Sequence, residues 1–349
     1  MPVQRIRVPA DELRALSSSI LTAAGLAEDE AAIVADAFVW ANLRGIDSHG
    51  VSRLPRYLEL FERGEANAHP HIQTTRLRDA AILVEADRAP GPLALSYAMR
   101  EVIEVARGTG VAWATVKGTV HTGAIGYYTS IAAAEGFAGI GIVAGVPNMA
   151  YEGARGAGVA TSPLAIALPA DKHPDFVLDM ATAKIALGKI AQYKARGEQL
   201  PLDAAVTADG RPTTDPAEAK IPLPMGGAKG SGMSLAFELL SSGLAANPIV
   251  SEFHAGQKRH RQNATLIAVD VSAFLPVDEF KAIVDATIDA VTGLEPAGDA
   301  PVLVPGARGA ATAEERAETG VPLPPKIWSE LTEAAAKFGV EVPEPIAAG

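Results

Sequence analysis

Residues 139–145 read "GIGIVAG", and this stretch decides the fold class. Its glycine spacing resembles a dinucleotide-binding fingerprint. Such a fingerprint requires a strand before the glycines and a helix directly after them. Here the glycines lie inside an apolar run that is itself typical of a buried strand, and Pro147 follows. We therefore interpret the stretch as a strand and exclude a Rossmann turn at this place.

Other short apolar runs bounded by Gly, Pro or Asp predict further strands on both sides of this stretch. These runs are "AAILVEAD" (80–87), "VAWATVK" (111–117), "VATSPLAIALP" (159–169), "DFVLDM" (175–180) and "ATLIAVDV" (264–271). Apolar residues at helical spacing predict helices between and around them. The predicted helices span about 11–25, 28–45, 93–107, 124–136, 182–196, 277–293 and 324–339. The segment 296–320 is loop-like, so the sequence predicts an α/β protein that is helical at both ends.

The composition limits the classes of function. The chain has 349 residues, of which 48% are hydrophobic and 20% charged, as in an ordinary globular protein of one or two domains. Its net charge of −11 argues against a nucleic-acid or anionic-membrane partner. The absence of cysteine excludes disulfides and thiolate metal sites. The N-terminus lacks a signal-peptide core and no apolar run approaches about 20 residues, so we expect a cytoplasmic protein.

The stretch "RGIDSHGVSRLPRYLE", residues 44–59, places His49 four residues before Arg53. Residues four apart share one face of a helix. Histidine exchanges protons near neutral pH, and arginine binds a carboxylate through two parallel hydrogen bonds. The pair therefore suits the orientation of a 2-oxo or 2-hydroxy acid and protonation of its oxygen. A surface helix with an incidental histidine stays open as the alternative, because Gly50 and Pro55 interrupt a regular turn.

A second histidine, His121, lies in "KGTVHTGAIGYYTS" between a predicted strand and a predicted helix. Such a junction exposes backbone N–H groups and the positive end of the helix, so a histidine there can face a ligand. A histidine that only caps the loop is the other interpretation.

The stretch "MGGAKGSGMS", residues 225–234, places four glycines, Lys229 and Ser231 at the start of a predicted helix. Glycines allow close approach of the backbone to a phosphate, and lysine adds a positive charge. The spacing differs from that of a Walker loop. Anion binding and helix packing through small residues both remain open for this stretch.

Three further stretches are weaker candidates for a binding or metal site. The basic cluster "HAGQKRHRQ", residues 254–262, suits a phosphate or a solvated loop. Residues 69–71, "HPH", offer two histidines but no third metal ligand nearby in the sequence, so we predict no metal site. Asp179 ends a strand ahead of a predicted helix, where it can accept from a ribose or cap the helix.

Several of these pieces occur together in one order over roughly residues 10–310. They are "RGIDSHGVSRLPRY", "HTGAIGYY", "TSPLAIALP", "LDMATAKIALGKI", "DGRPTTDP" and "GGAKGSGMS". The ordered set resembles the non-Rossmann malate/L-lactate dehydrogenase family. That family also contains ureidoglycolate dehydrogenase, diketogulonate reductase, sulfolactate dehydrogenase and piperideine- or pyrroline-carboxylate reductases.

The resemblance implies an α/β, non-Rossmann fold with a mostly antiparallel central sheet and with helical N- and C-terminal segments packed together. We expect residues 1–75 with 310–349 to form a helical substrate and dimerisation domain. Residues 76–309 would form the cofactor-binding α/β domain with an interface insertion. The resemblance further implies NAD or NADP as the cofactor, a small carboxylate as the substrate, and a homodimer with its active site near the subunit interface.

The resemblance also suggests roles for individual residues. His49 looks like the proton donor with Ser48 hydrogen-bonded beside it, and Arg53 looks like the carboxylate clamp. Thr161 looks like a substrate contact, and in some members the histidine at His121 is the acid/base. The positions that look like cofactor contacts are His121, Thr122, Gly123, Ala124, Ile125, Asp179, Met180, Ala181, Lys229, Pro305, Gly306 and Arg308.

The chain departs from the family pattern at three places. It has "ATSP" with Ser162 where the family often has Gly-Thr-Asn-Pro, and "YEGA" at 151–154 where the family often has Pro-Trp-Gly-Gly. Both changes are expected near the pocket. In imine-reducing members an Asp follows the glycine at Gly188 and completes a Ser-His-Asp relay, whereas here Lys189 takes that place.

These features favour hydride transfer between a nicotinamide and C2 of a small 2-hydroxy or 2-oxo acid. Reduction of a cyclic imino acid is the alternative reaction, with His49 protonating nitrogen. A catalytically silent binding homologue is a third hypothesis, against which the intact His49, Arg53, His121 and Lys229 argue.

Overall fold

A computed structural model describes residues 5–257 and 261–346, and a seven-stranded sheet lies at its centre. The strands are β1 (Ile6–Val8), β2 (Gln73–Arg78), β3 (Ala81–Glu85), β4 (Val111–Thr119), β5 (Phe137–Gly145), β6 (Met149–Ala150), β7 (Ala157–Val159), β8 (Leu164–Leu168), β9 (Phe176–Met180), β10 (Ala205–Val206), β11 (Pro212–Thr213), β12 (Ile221–Pro222), β13 (Gln262–Asp270) and β14 (Val321–Leu323).

The α-helices surround this sheet. They are α1 (Ala10–Ala23), α2 (Glu28–Leu43), α3 (Leu54–Glu62), α4 (Gly91–Thr109), α5 (Gly126–Ala134), α6 (Leu187–Arg196), α7 (Ala228–Glu238), α8 (Val250–His254), α9 (Val277–Thr292), α10 (Ala307–Thr319) and α11 (Pro325–Phe338). Short 3-10 helices span Asp47–His49, Val51–Arg53 and Val271–Ala273, and a π-helical turn, Leu239–Gly243, continues α7.

The central sheet is mostly antiparallel, as predicted. Its strand order is β2-β3-β4-β13-β5-β8-β9, and only β3 and β4 run parallel among the described strands. A Rossmann sheet is parallel with helices as crossovers, so this topology is of a different kind. The buried cluster of β4, β5 and β13 side chains is continuous with that of the terminal helices.

The glycines of "GIGIVAG" lie inside β5 and serve helix packing. A Cβ atom at Gly139 would come within 2.6 Å of the Thr129 carbonyl oxygen, and one at Gly141 within 2.9 Å of an Ile125 methyl. Helix α5 therefore rests directly on the backbone of the strand. The prediction of a strand without a phosphate-binding turn is confirmed.

The two ends of the chain pack together. Strand β1 pairs antiparallel with β14, with Ile6 opposite Leu323 and Val8 opposite Val321. Leucines of α1 and α3 share the core with Leu331 of α11. The predicted contact between helical N- and C-terminal segments is therefore present.

Two element predictions were wrong. Residues 182–186 precede the sixth helix, which begins only at Leu187. Residues 307–319, predicted as part of a loop, form α10. This helix buries a single residue, Arg316, so its sequence "ARGAATAEERAET" lacks the apolar spacing that predicts a helix, although alanine, glutamate and arginine favour one.

Candidate active site

A cleft of about 450 Å³ collects most of the side chains that the sequence analysis singled out. Its lining includes Ser48, His49, Arg53, His121, Thr122, Gly123, Ala124, Ile125, Thr161, Asp179, Met180 and Ala181. These residues come from the turn after α2, the loop between β4 and α5, the segment before β8 and the end of β9. The volume lies in the range of small-molecule sites.

His49 occupies the first of two consecutive 3-10 helices, rather than the regular helix that its spacing from Arg53 suggested. Its Nδ1 lies 3.0 Å from Ser48 Oγ, so a proton exchanged with a ligand has to pass through Nε2. The pKa of His49 is lowered to about 4, chiefly by burial and in addition by the nearby positive charge of Arg53. The imidazole is therefore neutral at neutral pH in the unliganded protein.

Arg53 stands beside this histidine with its guanidinium in the cleft. Its Nε donates to the Ser48 carbonyl oxygen at 2.6 Å, which fixes the direction of the side chain. Within the described residues no carboxylate forms an ion pair with it. Burial lowers the pKa of Arg53, which nevertheless stays cationic. A half-buried cation of this kind favours an anionic ligand.

His121 follows β4, and its ring lies beside that of His49. The buried Tyr57 hydroxyl donates to the His121 carbonyl oxygen and lies 3.3 Å from Nδ1. A Cβ atom at Gly91 would come within 2.3 Å of that same carbonyl oxygen, so the first turn of α4 packs directly under the loop. These contacts fix the backbone that begins the predicted cofactor-binding segment.

Asp179 caps a helix, but not the helix that follows it in the sequence. Its Oδ2 accepts from the backbone N–H of Gly126 at 2.8 Å, at the start of α5. Burial raises the pKa of Asp179 to about 6, while this hydrogen bond and one from Ile125 act in the opposite direction. The carboxyl group thereby joins β9 to the loop that carries His121.

Sequence reasoning missed several residues of the cleft. They are Ile46, Asn148, Pro163, Ala186, Leu187, Gly188 and Gln262. Asn148 accepts from the backbone N–H of Thr161 at 2.9 Å and so holds that residue in place. The Oε1 atom of Gln262 is buried and has no hydrogen-bond partner among the residues that the structure describes. Asn148 stands alone between apolar neighbours, whereas Gln262 lies between Arg261 and Asn263 and was considered only as the end of the basic cluster 254–262.

Four predicted contacts lie outside the lining of this cleft. Lys229 is exposed in the first turn of α7, next to Gly226. Pro305, Gly306 and Arg308 lie at the start of α10, where the Pro305 carbonyl accepts from Val177 of β9 at 3.4 Å. Their role as cofactor contacts stays a prediction. Residues 258–260 of the basic cluster lie outside the described residues.

The departures from the family pattern also lie outside the lining. Ser162 is buried behind the cleft, 3.2 Å from Ser234 Oγ of α7. The side chains of residues 151–154 are absent from the lining as well. Gly188 does face the site, since a Cβ there would come within 3.1 Å of Ser48 Cβ, but Lys189 is exposed. Among the described cleft residues, Asp179 is the only acid.

A second depression of similar volume lies elsewhere on the surface. It is open and polar, and its Lys117 and Glu85 side chains pair with each other at 3.2 Å. His71 of "HPH" lines it, but within residues 5–257 and 261–346 no three histidine or acidic side chains are grouped to hold a metal ion. In the same described residues no helix has the length and apolarity needed to cross a bilayer.

The first cleft fits a nicotinamide group. Ile125, Pro163 and Met180 provide apolar surface for a flat ring. The unsatisfied Gln262 oxygen can accept from the N–H of a carboxamide.

Comparison with known proteins gives a consistent result. Residues 8–332 match the family model described as malate/L-lactate dehydrogenase. The chain is 33% identical to malate dehydrogenase of Pyrococcus horikoshii, over 96% of each chain. The sulfolactate dehydrogenase structure from Methanocaldococcus jannaschii superposes with a TM-score of 0.87 at 31% identity, covering 97% of this chain and 98% of that one.

A third similar protein is named for the reduction of a cyclic imine and not for the oxidation of a hydroxy acid. The structure of delta1-piperideine-2-carboxylate reductase from Pseudomonas syringae has a TM-score of 0.82 at 25% identity, covering 94% of this chain and 99% of that chain.

Proposed function

The chain belongs to the malate/L-lactate dehydrogenase family, and on that basis we propose that it interconverts a small 2-hydroxy acid and the corresponding 2-oxo acid with a nicotinamide cofactor. The relatives are named for malate, sulfolactate and ureidoglycolate, which are all small 2-hydroxy acids. The cofactor is a nicotinamide dinucleotide, either NAD or NADP.

One observation of the cleft carries this proposal. The Arg53 guanidinium faces the cleft without a carboxylate partner among the described residues, directly beside the buried His49 imidazole. A planar cation binds a substrate carboxylate in a fixed orientation, and the imidazole beside it then meets the oxygen on C2. A 2-oxo acid has both groups on adjacent carbons, so one anion site and one proton site suffice to hold and activate it.

The proposed reaction moves a hydride to or from C2 of the acid and a proton to or from the C2 oxygen. The nicotinamide supplies the hydride to C2 of the 2-oxo acid when it is bound, and accepts it in the reverse direction. His49 gives a proton to the C2 oxygen as that oxygen gains electrons, which yields the hydroxyl group. In the oxidation direction the neutral His49 removes this proton. Ser48 at Nδ1 holds the imidazole in the orientation that leaves Nε2 for the substrate.

Arg53 links substrate binding to the protonation of His49. Its positive charge contributes to the low pKa of the imidazole. A bound carboxylate neutralises that charge, so the pKa of His49 rises when the substrate is present.

Reduction of a cyclic imino acid is the second candidate. The structural likeness to a piperideine-2-carboxylate reductase favours it, and so does the Ser48–His49 pair, which can protonate nitrogen as well as oxygen. The third relay member of imine-reducing relatives is absent from this position, because Lys189 replaces the acid. The hydroxy-acid reaction therefore has the better support.

A panel of substrates tests the proposal. Purified protein is mixed with NADH or NADPH and, separately, with pyruvate, oxaloacetate, glyoxylate, 2-oxobutyrate, a diketo sugar acid or piperideine-2-carboxylate, and the near-ultraviolet absorbance of the reduced cofactor is followed. The reverse direction uses malate, lactate and ureidoglycolate. Turnover of one 2-oxo acid supports the proposal and identifies the cofactor. Turnover of the imine alone overturns it, and binding of cofactor with no turnover favours a silent homologue.

We also propose a homodimer whose interface includes the outer face of α7 and the turn that follows it. This face is apolar, whereas the inner face is polar: Ser231, Ser234, Glu238, Ser241 and Ser242 are buried, and Leu235, Leu239, Leu240 and Leu244 are 36–60% exposed. Helices that pack only on their own chain show the reverse pattern. A second copy of the same face covers these leucines in a two-fold dimer.

The position of α7 agrees with an active site near the interface. A Cβ at Gly230, in the first turn of α7, would come within 2.6 Å of the Thr182 carbonyl oxygen, and Ala181 before it lines the cleft. Light scattering of wild type and Leu239→Glu tests the proposal. We expect wild type to be a dimer and Leu239→Glu to be a monomer. A monomeric wild type would contradict the proposed dimer.

The division into domains 1–75 with 310–349 and 76–309, and the cytoplasmic location, stay predictions.

A further inference from the structure

The turn that carries His49 is held by a side chain from the far end of the chain. Arg316 of α10 is 9% exposed and reaches back across the fold to Asp47. Its Nη1 donates to Asp47 Oδ1 at 2.6 Å, and its Nη2 donates to Oδ2 at 3.3 Å. The same Nη1 donates to the carbonyl oxygen of Asn42, at the end of α2. The guanidinium thus joins three elements at one buried point.

Asn42 holds the other side of the same turn. Its Nδ2 donates to Asp47 Oδ1 at 2.9 Å, and its Oδ1 accepts from the backbone N–H of Val51 at 2.8 Å. The turn packs against this amide without a gap, because a Cβ at Gly50 would come within 2.1 Å of Asn42 Oδ1. Ser48 and His49 lie between the two residues that are held, Asp47 and Val51.

The backbone of this turn depends on those contacts for its shape. It consists of two 3-10 helices of three residues each, Asp47–His49 and Val51–Arg53, separated by the extended Gly50. Such short helices lack the repeated hydrogen bonds that make a longer helix rigid. The direction of the His49 and Arg53 side chains therefore follows the position of the Asp47 carboxylate.

We propose that Arg316, Asp47 and Asn42 form a positioning unit. They hold the turn so that the His49 imidazole and the Arg53 guanidinium both reach the same bound substrate molecule. The proposal rests on the proposed function, since it assigns these three residues to the geometry of that reaction. None of the three lines the cleft, so all would act through the turn. A shift of the proton donor by about 1 Å can reduce the rate about 100-fold, so a contact outside the cleft can govern turnover.

The test compares three variants with wild type. Arg316→Lys keeps the charge but loses the two-point contact, Asp47→Asn removes the charge at nearly the same size, and the third variant combines both. Arg14→Lys is the matched control, because Arg14 pairs with Asp36 at 2.9 Å between α1 and α2 and lies outside the cleft. Three readouts are taken: kcat and KM for the 2-oxo acid, NMR titration of the His49 imidazole, and thermal unfolding.

We expect each single variant to lower kcat about 10- to 100-fold while the affinity for reduced cofactor stays unchanged. The kcat of the double variant should be no lower than the kcat of the less active single variant, because both substitutions break the same contact. The pKa of His49 should rise in all three, because a displaced turn is less buried. The control should retain the kcat and the His49 titration of wild type.

Two results overturn the proposal. One is a lower unfolding temperature with unchanged kcat and unchanged His49 titration, which means an ion pair that only stabilises the fold. The other is an increase of KM alone, which means that the turn affects binding but not the register of the proton donor. If the wild-type protein reduces none of the acids, the proposed function fails, and the His49 titration alone then decides for or against the positioning unit.

Discussion

The imidazole rings of His49 and His121 lie nearly parallel in the cleft, with their centroids 5.7 Å apart and an angle of 18° between their planes. At this separation the repulsion between two positive charges disfavours protonation of both imidazoles at the same time. They also differ in their surroundings. Ser48 Oγ is next to Nδ1 of His49, whereas the buried Tyr57 hydroxyl is next to Nδ1 of His121. We therefore expect one of the two rings, and not both, to transfer the proton.

The first prediction concerns which histidine transfers the proton. His49→Ala should lower kcat by about 10²- to 10⁴-fold, the usual contribution of a general acid or base. His121→Ala should affect mainly cofactor binding, because His121 begins the predicted cofactor segment. Steady-state kinetics and fluorescence titration with reduced cofactor separate the two. A larger loss of kcat in His121→Ala would reverse the assignment.

The second prediction is the pH dependence of the two directions. The pKa of His49 is about 4 in the free protein, so the imidazole is neutral above that pH. For oxidation, the titration of His49 should leave kcat/KM constant above pH 5 to 6. At lower pH kcat/KM should decrease, because the base becomes protonated. For reduction, kcat/KM should fall with rising pH, because the acid form becomes scarce. The pKa seen in kcat should be higher than that in kcat/KM, since bound carboxylate neutralises Arg53.

The third prediction concerns Arg53 itself. Arg53→Ala should raise KM for the acid and lower kcat, with a combined loss of about 1.5–3 kcal/mol of transition-state stabilisation. Arg53→Lys should recover part of it, because it restores the charge but not the planar fork. Loss of the positive charge should also raise the pKa of His49. Unchanged kinetics in both His49→Ala and Arg53→Ala would refute the proposed site.

The fourth prediction concerns the buried carboxyl group of Asp179. Its pKa is about 6 in the folded protein and about 3.9 when unfolded, so between these values the folded state binds more protons. Its contribution to stability is therefore fully present below about pH 4 and is lost as pH rises through 6. Asp179→Asn should remove this dependence, and Asp179→Ala should destabilise by about 0.5–2 kcal/mol as a lost helix cap. Urea unfolding at several pH values measures both.

The fifth prediction concerns the unsatisfied oxygen of Gln262. If this oxygen accepts a hydrogen bond from a bound ligand, Gln262→Leu should lower kcat/KM. The decrease should correspond to about 0.5–1.5 kcal/mol of transition-state stabilisation, the net value of a hydrogen bond. Gln262→Glu keeps an acceptor oxygen at the same place and serves as the control. Equal kinetics in wild type and Gln262→Leu would mean that water, not a ligand, uses this oxygen.

The sequence predicted the central strands and the proximity of His49 to Arg53 because both depend on local patterns, whereas the two 3-10 helices that carry these residues were not predicted. Apolar runs such as 111–117 and 138–145 stand out from their neighbours, and the position of His49 relative to Arg53 is a short-range pattern. Helix α10 escaped prediction for the opposite reason: its buried residue, Arg316, is satisfied by Asp47 far away in the sequence. Periodicity of apolar residues cannot reveal a helix that packs through an ion pair.

The same distinction applies within the cleft. Asp179 was recognised as a possible cap, but its partner Gly126 belongs to another helix, so only the three-dimensional structure identifies the contact. Asn148 is a single amide between apolar neighbours, and Gln262 stands in a polar stretch at the end of the basic cluster, so no spacing marks either of them. The stretch 139–145 shows the converse, since its glycine pattern is conspicuous but serves the packing of α5.

The pairing of β1 with β14 has a consequence for synthesis in the cell. Strand β1 pairs with residues that are translated much later, and Arg316 is translated shortly before that partner strand. Helices α1 and α2 and the turn of His49 therefore keep part of their apolar surface uncovered until β14 has been made. Nascent chains stalled before and after residue 323 should differ in protease resistance at the N-terminal helices, and such a half-made chain is a natural client for chaperones.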